Sequence, residues 1–201
     1  MDSLKIALTG GVACGKSLFG DFLRELGAEV IRLDDISKQV TEVNSDGLRA
    51  LVDAFGDRVV GEDGGLNRGV LREILLGNKG DRVLIEEILH PKILERMQKL
   101  YEQSEERVVV VEIPLLFEKK LEDLFDGVIV VVCDEQQQLE RLINRANIDR
   151  ALARQMIAIQ MSQKDRVGVV ERMQGDIVVN NGNVENLKQW AKRVYAGLIN
   201  L

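Results

Sequence analysis

Gly10-Gly11-Val12-Ala13-Cys14-Gly15-Lys16-Ser17 satisfies the pattern G-x-x-x-x-G-K-[ST], and its flanks are those the pattern needs. Before it runs Leu4–Thr9, a short apolar stretch of the kind that forms a buried strand. After it Leu18, Phe19, Phe22, Leu23 and Leu26 recur at helical spacing until Gly27 closes the turn. Gly10 and Gly15 permit backbone torsions that side chains forbid, so successive N–H groups converge on one anion at the positive end of the following helix. Lys16 is expected to reach the β and γ phosphates of a nucleotide, and the Ser17 hydroxyl to ligate Mg²⁺.

A strand, a phosphate loop and a helix open an α/β fold, and the rest of the chain continues it. Glu29–Leu33, Val108–Ile113, Val128–Cys133 and Ile177–Val179 are rich in Val and Ile and end in polar or turn residues, as buried parallel strands do. The interval from 37 to 106 carries no strand signal. It holds four helical patterns: Leu48, Leu51, Val52 and Phe55; Val70, Leu71, Ile74 and Leu75; Val83, Leu84 and Ile88; and, after Pro91, Ile93, Leu94, Met97, Leu100 and Tyr101. Asp134 with Gln137 predicts a capping box, and Asn183 the N-cap of a last helix. The expected organisation is a three-layer core with a five-stranded parallel sheet over 1–36, 107–143 and 173–201, a helical lobe over 37–106, and a second insertion over 144–172.

The chain has 201 residues and a net charge of -6, which weighs against a general nucleic-acid or anionic-membrane surface, since both are held mainly by positive charge. A small anionic ligand sees local charge instead. From Arg141 to Arg172 seven basic residues face three acidic ones, a net of +4 inside an acidic chain. The longest apolar runs, Val108–Val111 and Val128–Cys133, fall far short of the roughly 20 residues of a membrane span. Cys14 and Cys133 are too few for a disulfide framework and point to a reducing, cytoplasmic compartment.

Two further motifs suggest a guanine-nucleotide switch. Asn78-Lys79-Gly80-Asp81 matches N-K-x-D, and Asp53-Ala54-Phe55-Gly56 matches D-x-x-G. Their surroundings argue otherwise: the first follows an amphipathic helical pattern rather than a buried strand, and Asp53 sits inside another helix.

Together the motifs resemble the dephospho-CoA kinase family, over nearly the whole chain. Ile6-Ala7-Leu8-Thr9-Gly10-Gly11 looks like its start, and Leu26-Gly27-Ala28-Glu29-Val30-Ile31 followed by Asp34 is similar to its second-strand motif. Leu66-x-Arg68, Leu71-Arg72 and Leu89-His90-Pro91-x-Ile93 are similar to its helical lobe. Ile113-Pro114-Leu115-Leu116-Phe117-Glu118 is the most specific run, and Gln138-x-x-Arg141-x-x-x-Arg145, Ala158-x-Gln160-Met161 and Asp176-x-Val178-x-Asn180-x-Gly182 look like its lid and closing strand. Arg32, Leu18, Glu112 and Ala146 depart from the family's pattern, and the span from Met161 to Asp176 is longer.

The resemblance implies transfer of the γ-phosphoryl group of ATP to the ribose 3′-hydroxyl of dephospho-CoA, the last step of coenzyme A synthesis, with another small-molecule or nucleotide kinase on the same core as the alternative. It implies Asp34, Lys16 and Arg145 as catalytic groups, and Gly11, Val12, Ala13, Cys14, Gly15, Lys16, Ser17, Leu18, Arg141 and Asn180 as the ATP site. Arg68, Arg72, His90, Pro114 and Leu115 would meet the acceptor, and Ser17 and Glu112 would hold Mg²⁺, Glu112 through water. Asp34 and Asp35 also suit a helix N-terminus, Arg68 and Arg72 share one exposed face, and His90 before Pro91 suits a break between two helices.

Overall fold

The computed structural model describes residues 3–200. Strands β1 (Leu4–Gly10), β2 (Glu29–Arg32), β3 (Val108–Glu112), β4 (Gly127–Val132) and β5 (Asp176–Val179) form an all-parallel sheet in the order β2-β3-β1-β4-β5. Ile6 stands opposite Val110 on one side and Gly127 on the other, so the central strand is β1. Each of the five predicted strands is present, to within a residue or two at its ends.

Alternate residues of the central strands face one core. Ile6, Leu8, Val108, Val110, Ile129 and Val131 pack with Phe19, Phe22 and Leu23 of α1 (Lys16–Glu25) and with Leu187, Ala191 and Val194 of α9 (Val184–Leu198). The residues between them, Ala7, Val109, Val111, Val128 and Val130, are equally buried. Continuous apolar strands follow from that: with both faces covered there is no solvent side to make polar. Gly27 ends α1 with φ 108°, and the Cβ it lacks would stand 2.9 Å from the Tyr195 hydroxyl. Leu18 is the exception to the predicted apolar stripe, being 39% exposed.

The chain divides into two compact units, Met1–Ile31 with Ser104–Leu201, and Arg32–Gln103. The first also holds α6 (Glu135–Ala146), α7 (Arg150–Ala158) and α8 (Gln163–Arg172). Asp134 caps α6 by accepting from the N–H groups of Gln136 and Gln137. Gln137 does not complete the predicted box, because its Oε1 accepts from Arg141 while the Asp134 N–H donates to Asn181 Oδ1 and the Gln137 Nε2 donates to the Asn181 carbonyl. Asn183 caps α9, and the capping box there closes through Asn186.

The second unit contains α2 (Leu33–Gln39), α3 (Asp46–Phe55), α4 (Arg68–Gly77) and α5 (Lys79–Gln103) around Leu51, Val59, Ile74, Ile85 and Leu89. Ser45 caps α3 and Asn67 caps α4, each accepting a backbone N–H at 3.1 Å. Here the structure corrects the sequence expectation: the last two helical patterns are one helix, and Pro91 lies inside α5 rather than at a break. Proline removes one helical N–H and crowds the preceding turn, at a cost of about 3 kcal/mol. Burial offsets it, since Ile85, Ile88 and Leu89 before Pro91 and Ile93 after it join the same apolar cluster.

Candidate active site

The loop between β1 and α1 takes the shape its glycines allow. Gly10 has φ 149°, and a Cβ there would come within 2.2 Å of the Val131 carbonyl oxygen; Gly15 has φ 97°, and a Cβ would meet the Asn180 side-chain amide at 2.4 Å. Those are backbone and fixed side-chain neighbours, so neither position accepts another residue without displacement. Ala13 also lies in the left-handed region, at φ 59°.

Lys16 is buried and curls over the loop, its Nζ donating to the carbonyls of Gly10 at 2.9 Å and Gly11 at 3.0 Å. Burial pushes its pKa below the ordinary lysine value, with the Glu112 carboxylate acting against that shift. In the first turn of α1 the Ser17 hydroxyl donates to Glu112 Oε1 at 2.7 Å. Glu112 ends β3 and is itself buried, so the strand delivers a carboxylate oxygen beside the loop's hydroxyl. A hydroxyl and a carboxylate oxygen so close are hard donors of the kind Mg²⁺ takes when phosphates and water complete its shell, so these residues fit the ion.

The loop is braced from far along the chain. Gln138 Nε2 donates to the Val12 carbonyl and Gln160 Oε1 accepts from the Val12 N–H, both at 2.9 Å. Asn180 Nδ2 donates to the Cys14 carbonyl at 2.8 Å, while its own carbonyl accepts from Arg141 at 3.1 Å. Val12 and Ala13 pack against the cluster of Leu139, Leu142 and Ala153. Beside the loop opens a cavity of about 630 Å³, lined by Gly11 with Gln138, Arg150, Arg154, Gln160 and Arg166.

Of the predicted arginines, Arg141 is tied down as described, and Arg145 is exposed in the last turn of α6, where its charge still bears on Lys16. Sequence reasoning did not single out Arg150, Arg154 or Arg166, although the basic excess of that segment contained all three. Arg166 is only 2% exposed, with Nη2 3.5 Å from Glu118 Oε1 and Nε without a partner among the described residues. The same Glu118 oxygen accepts from the Met161 N–H at 2.9 Å, so Glu118 fastens the turn after β3 to the basic insertion. Pro114 and Leu115 lie in that turn, Leu115 exposed.

Asp34, Arg68, Arg72 and His90 belong to the second unit. Asp34 and Asp35 occupy the first turn of α2, both exposed; Asp35 pairs with Lys38, and the residue at the N-cap is Arg32, which makes no side-chain cap. Arg68 and Arg72 share an exposed face of α4. His90 lies within α5, with Nε2 buried and unpartnered among the described residues. The N-K-x-D tetrapeptide joins α4 to α5: Asn78 accepts from the Asp81 N–H at 2.8 Å and donates to its carboxylate at 2.7 Å, which is helix capping and not base recognition.

Sheet order, loop and the Ser17 hydroxyl on a buried Glu112 define a phosphate-loop kinase. Solved structures share the architecture: one from Thermus thermophilus at TM-score 0.77 and 24% identity, covering 98% of this chain and 99% of that one, and a shikimate kinase from Bacteroides thetaiotaomicron at TM-score 0.51 and 18% identity, with 98% and 99% covered. The dephospho-CoA kinase family model matches residues 4–186. Relatives named dephospho-CoA kinase include one from Fusobacterium nucleatum, 34% identical over 194 residues with 96% of this chain and 97% of its own covered, and one from Shouchella clausii, 38% identical over 187 residues with 91% and 92% covered. The chain belongs to the dephospho-CoA kinase family, and it is an enzyme whose activity is the ATP-dependent phosphorylation of dephospho-CoA that completes coenzyme A synthesis.

Proposed function

We propose the following division of labour for that reaction, carried by one observation: Lys16 on its own loop carbonyls beside a Ser17 hydroxyl held by a buried Glu112. Phosphoryl transfer asks a protein for alignment and for charge opposite the transferring group. The loop N–H groups from Gly11 to Leu18 cradle the ATP phosphates, and Lys16 exchanges its two carbonyl partners for β and γ oxygens. Ser17 and, through water, Glu112 hold Mg²⁺, which supplies charge neutralisation when bound. Asn180 and Arg141 support the loop from the side where the nucleotide base is expected.

Residues 144–172 act as a lid, and residues 37–106 as the acceptor lobe. Arg145, with the cavity-lining Arg150, Arg154 and Arg166, brings positive charge to the phosphates as the lid closes and water leaves. In the lobe, Arg68 and Arg72 offer a paired cationic face for the acceptor's phosphates, and His90 Nε2, without a partner among the described residues, gains a polar contact. Pro114 and Leu115 form the acceptor's apolar rim. Asp34, just beyond β2 at the carboxyl end where parallel sheets bind ligands, accepts the proton of the ribose 3′-hydroxyl. We place the enzyme with its substrates in the cytoplasm; among the described residues no helix is long and apolar enough to cross a membrane.

A coupled assay tests this reading. ADP should form from ATP only when Mg²⁺ and dephospho-CoA are both present, and Asp34→Asn should lower turnover by about 10²-fold or more with little change in ATP affinity. Faster ADP formation with nucleoside monophosphates would replace the acceptor, and a near-normal Asp34→Asn rate would remove the base.

A further inference from the structure

Cys14 and Cys133 are the chain's only cysteines, and both are buried free thiols whose Sγ atoms lie 2.9 Å apart. One is in the phosphate loop, the other directly follows β4, and 119 residues separate them in sequence. A disulfide needs its sulfurs about 2.05 Å apart, so closing the bond requires a movement of only about 0.9 Å.

The two sulfurs are electronically unequal. The hydrogen bond from the Cys133 thiol brings the Cys14 pKa down to about 7; burial opposes that shift, while the charges of Lys16 and Arg166 support it. The same contact, together with burial, pushes Cys133 up, so it keeps its proton. This gives one sulfur that reacts as thiolate and a neighbour that resolves the product. Both cysteines are only 1% exposed, and the shortest approach for a small oxidant is from the cavity side. Gly11 lines the 630 Å³ cavity, and the Cβ it lacks would stand 3.1 Å from Cys14 Sγ, so the sulfur lies one residue's thickness behind the wall.

We propose that Cys14 and Cys133 are a redox site: a peroxide closes them into a reversible disulfide, and the bond switches off the phosphate loop. The Cys14 thiolate attacks one peroxide oxygen, breaking the O–O bond and giving a sulfenic acid and hydroxide. The Cys133 sulfur then attacks the sulfenic sulfur, the hydroxyl leaves as water with the Cys133 proton, and the S–S bond forms. Two thiols lose two electrons and one peroxide gains them.

The loop is the part that yields. Cys133 follows a strand fixed on both sides by β1 and β5, and its N–H donates to Gln163 at 3.3 Å. Cys14 is held by its carbonyl on Asn180 and by an N–H bond to Gly11 at 3.2 Å. Moving Cys14 by most of an ångström disturbs the N–H array on either side of it, and phosphoryl transfer tolerates such misplacement poorly.

The experiment treats the full chain with a small excess of hydrogen peroxide and reads intact mass, a peptide map without reductant, and turnover. The expected result is a monomer about 2 Da lighter with Cys14 joined to Cys133, turnover lower by about 10²-fold, and both restored by dithiothreitol. Cys133→Ala, which removes both the resolving sulfur and the thiol that lowers Cys14, should keep its basal rate, form no internal bond and hold its turnover under the same peroxide. Oxygen addition without the disulfide in the wild-type chain, a bond between two chains, or a disulfide with unchanged turnover would each overturn the proposal. The loss-of-turnover arm rests on the loop serving ATP as proposed above; the mass and peptide arms do not, so failure of either is separately visible.

Discussion

The Ser17 hydroxyl donates to Glu112 Oε1 at 2.7 Å, joining the first turn of α1 to the last residue of β3 across 95 positions of sequence. That contact makes Glu112 the point where sheet and phosphate loop share one proton-bearing group. Glu112→Gln keeps the shape and removes the charge. Turnover is expected to fall about 10²-fold, with a higher Mg²⁺ concentration needed for half-maximal rate, while the circular-dichroism spectrum stays that of the parent. A magnesium titration of both proteins checks it, and an unchanged titration would exclude Glu112 from the ion's shell.

Lys16 carries its charge where burial disfavours it, so its folded pKa lies below its unfolded value near 10.4. The sign follows. At neutral pH both states bind the proton and the folded state bears the cost; as pH rises through the lowered folded value the native lysine discharges first, and the cost fades. Relative to Lys16→Met, the wild-type chain should therefore gain stability between neutral pH and about pH 10.4, measured by urea midpoints at each pH. The variant should lose at least about 10³-fold in turnover. A stability difference that is flat in pH would mean that burial costs Lys16 nothing.

Two glycines should respond in opposite directions to alanine. At Gly10 the new Cβ would meet the Val131 carbonyl oxygen at 2.2 Å in a backbone conformation of φ 149°, so Gly10→Ala should cost more than about 3 kcal/mol. Gly197, exposed near the end of α9, has nothing within 4 Å of an added Cβ among the described residues, and Gly197→Ala should stabilise by about 0.5 kcal/mol. Paired urea melts decide both.

Glu118→Ala removes the carboxylate beside a guanidinium that is 2% exposed, and also the acceptor of the Met161 N–H. Breaking a buried pair costs about 3–5 kcal/mol, and the partial exposure of Glu118 reduces that to about 1–3 kcal/mol. KM for ATP should rise along with the loss of stability, since Arg166 also lines the cavity. A fall in stability with KM unchanged would leave Glu118 a purely structural tie.

The strands and the loop were legible because their signals are local: four consecutive valines, or a glycine pattern between an apolar run and an amphipathic one. Pro91 misled because its local rule is correct but weaker than the burial of Ile85, Leu89 and Ile93 around it. Asp134 shows the same limit on a smaller scale, since the cap is local whereas the partner Gln137 prefers, Asn181, lies 44 residues away. Arg166 could be counted as one of seven cations, yet nothing in its neighbourhood of sequence marks it as buried beside Glu118. Gln138 and Gln160 left no signal at all as loop braces, because amide contacts over 126 and 148 residues have no periodicity to detect.

The two glutamine contacts on Val12 separate two properties of the loop. Carboxamides satisfy its N–H and its carbonyl with dipoles alone, so they fix the geometry without adding to or subtracting from the positive field that an incoming polyanion meets. Lys16 and the arginines set that field. Shape and attraction are therefore written in different residues, and a lineage could tune how strongly the loop draws phosphate without redrawing the loop itself.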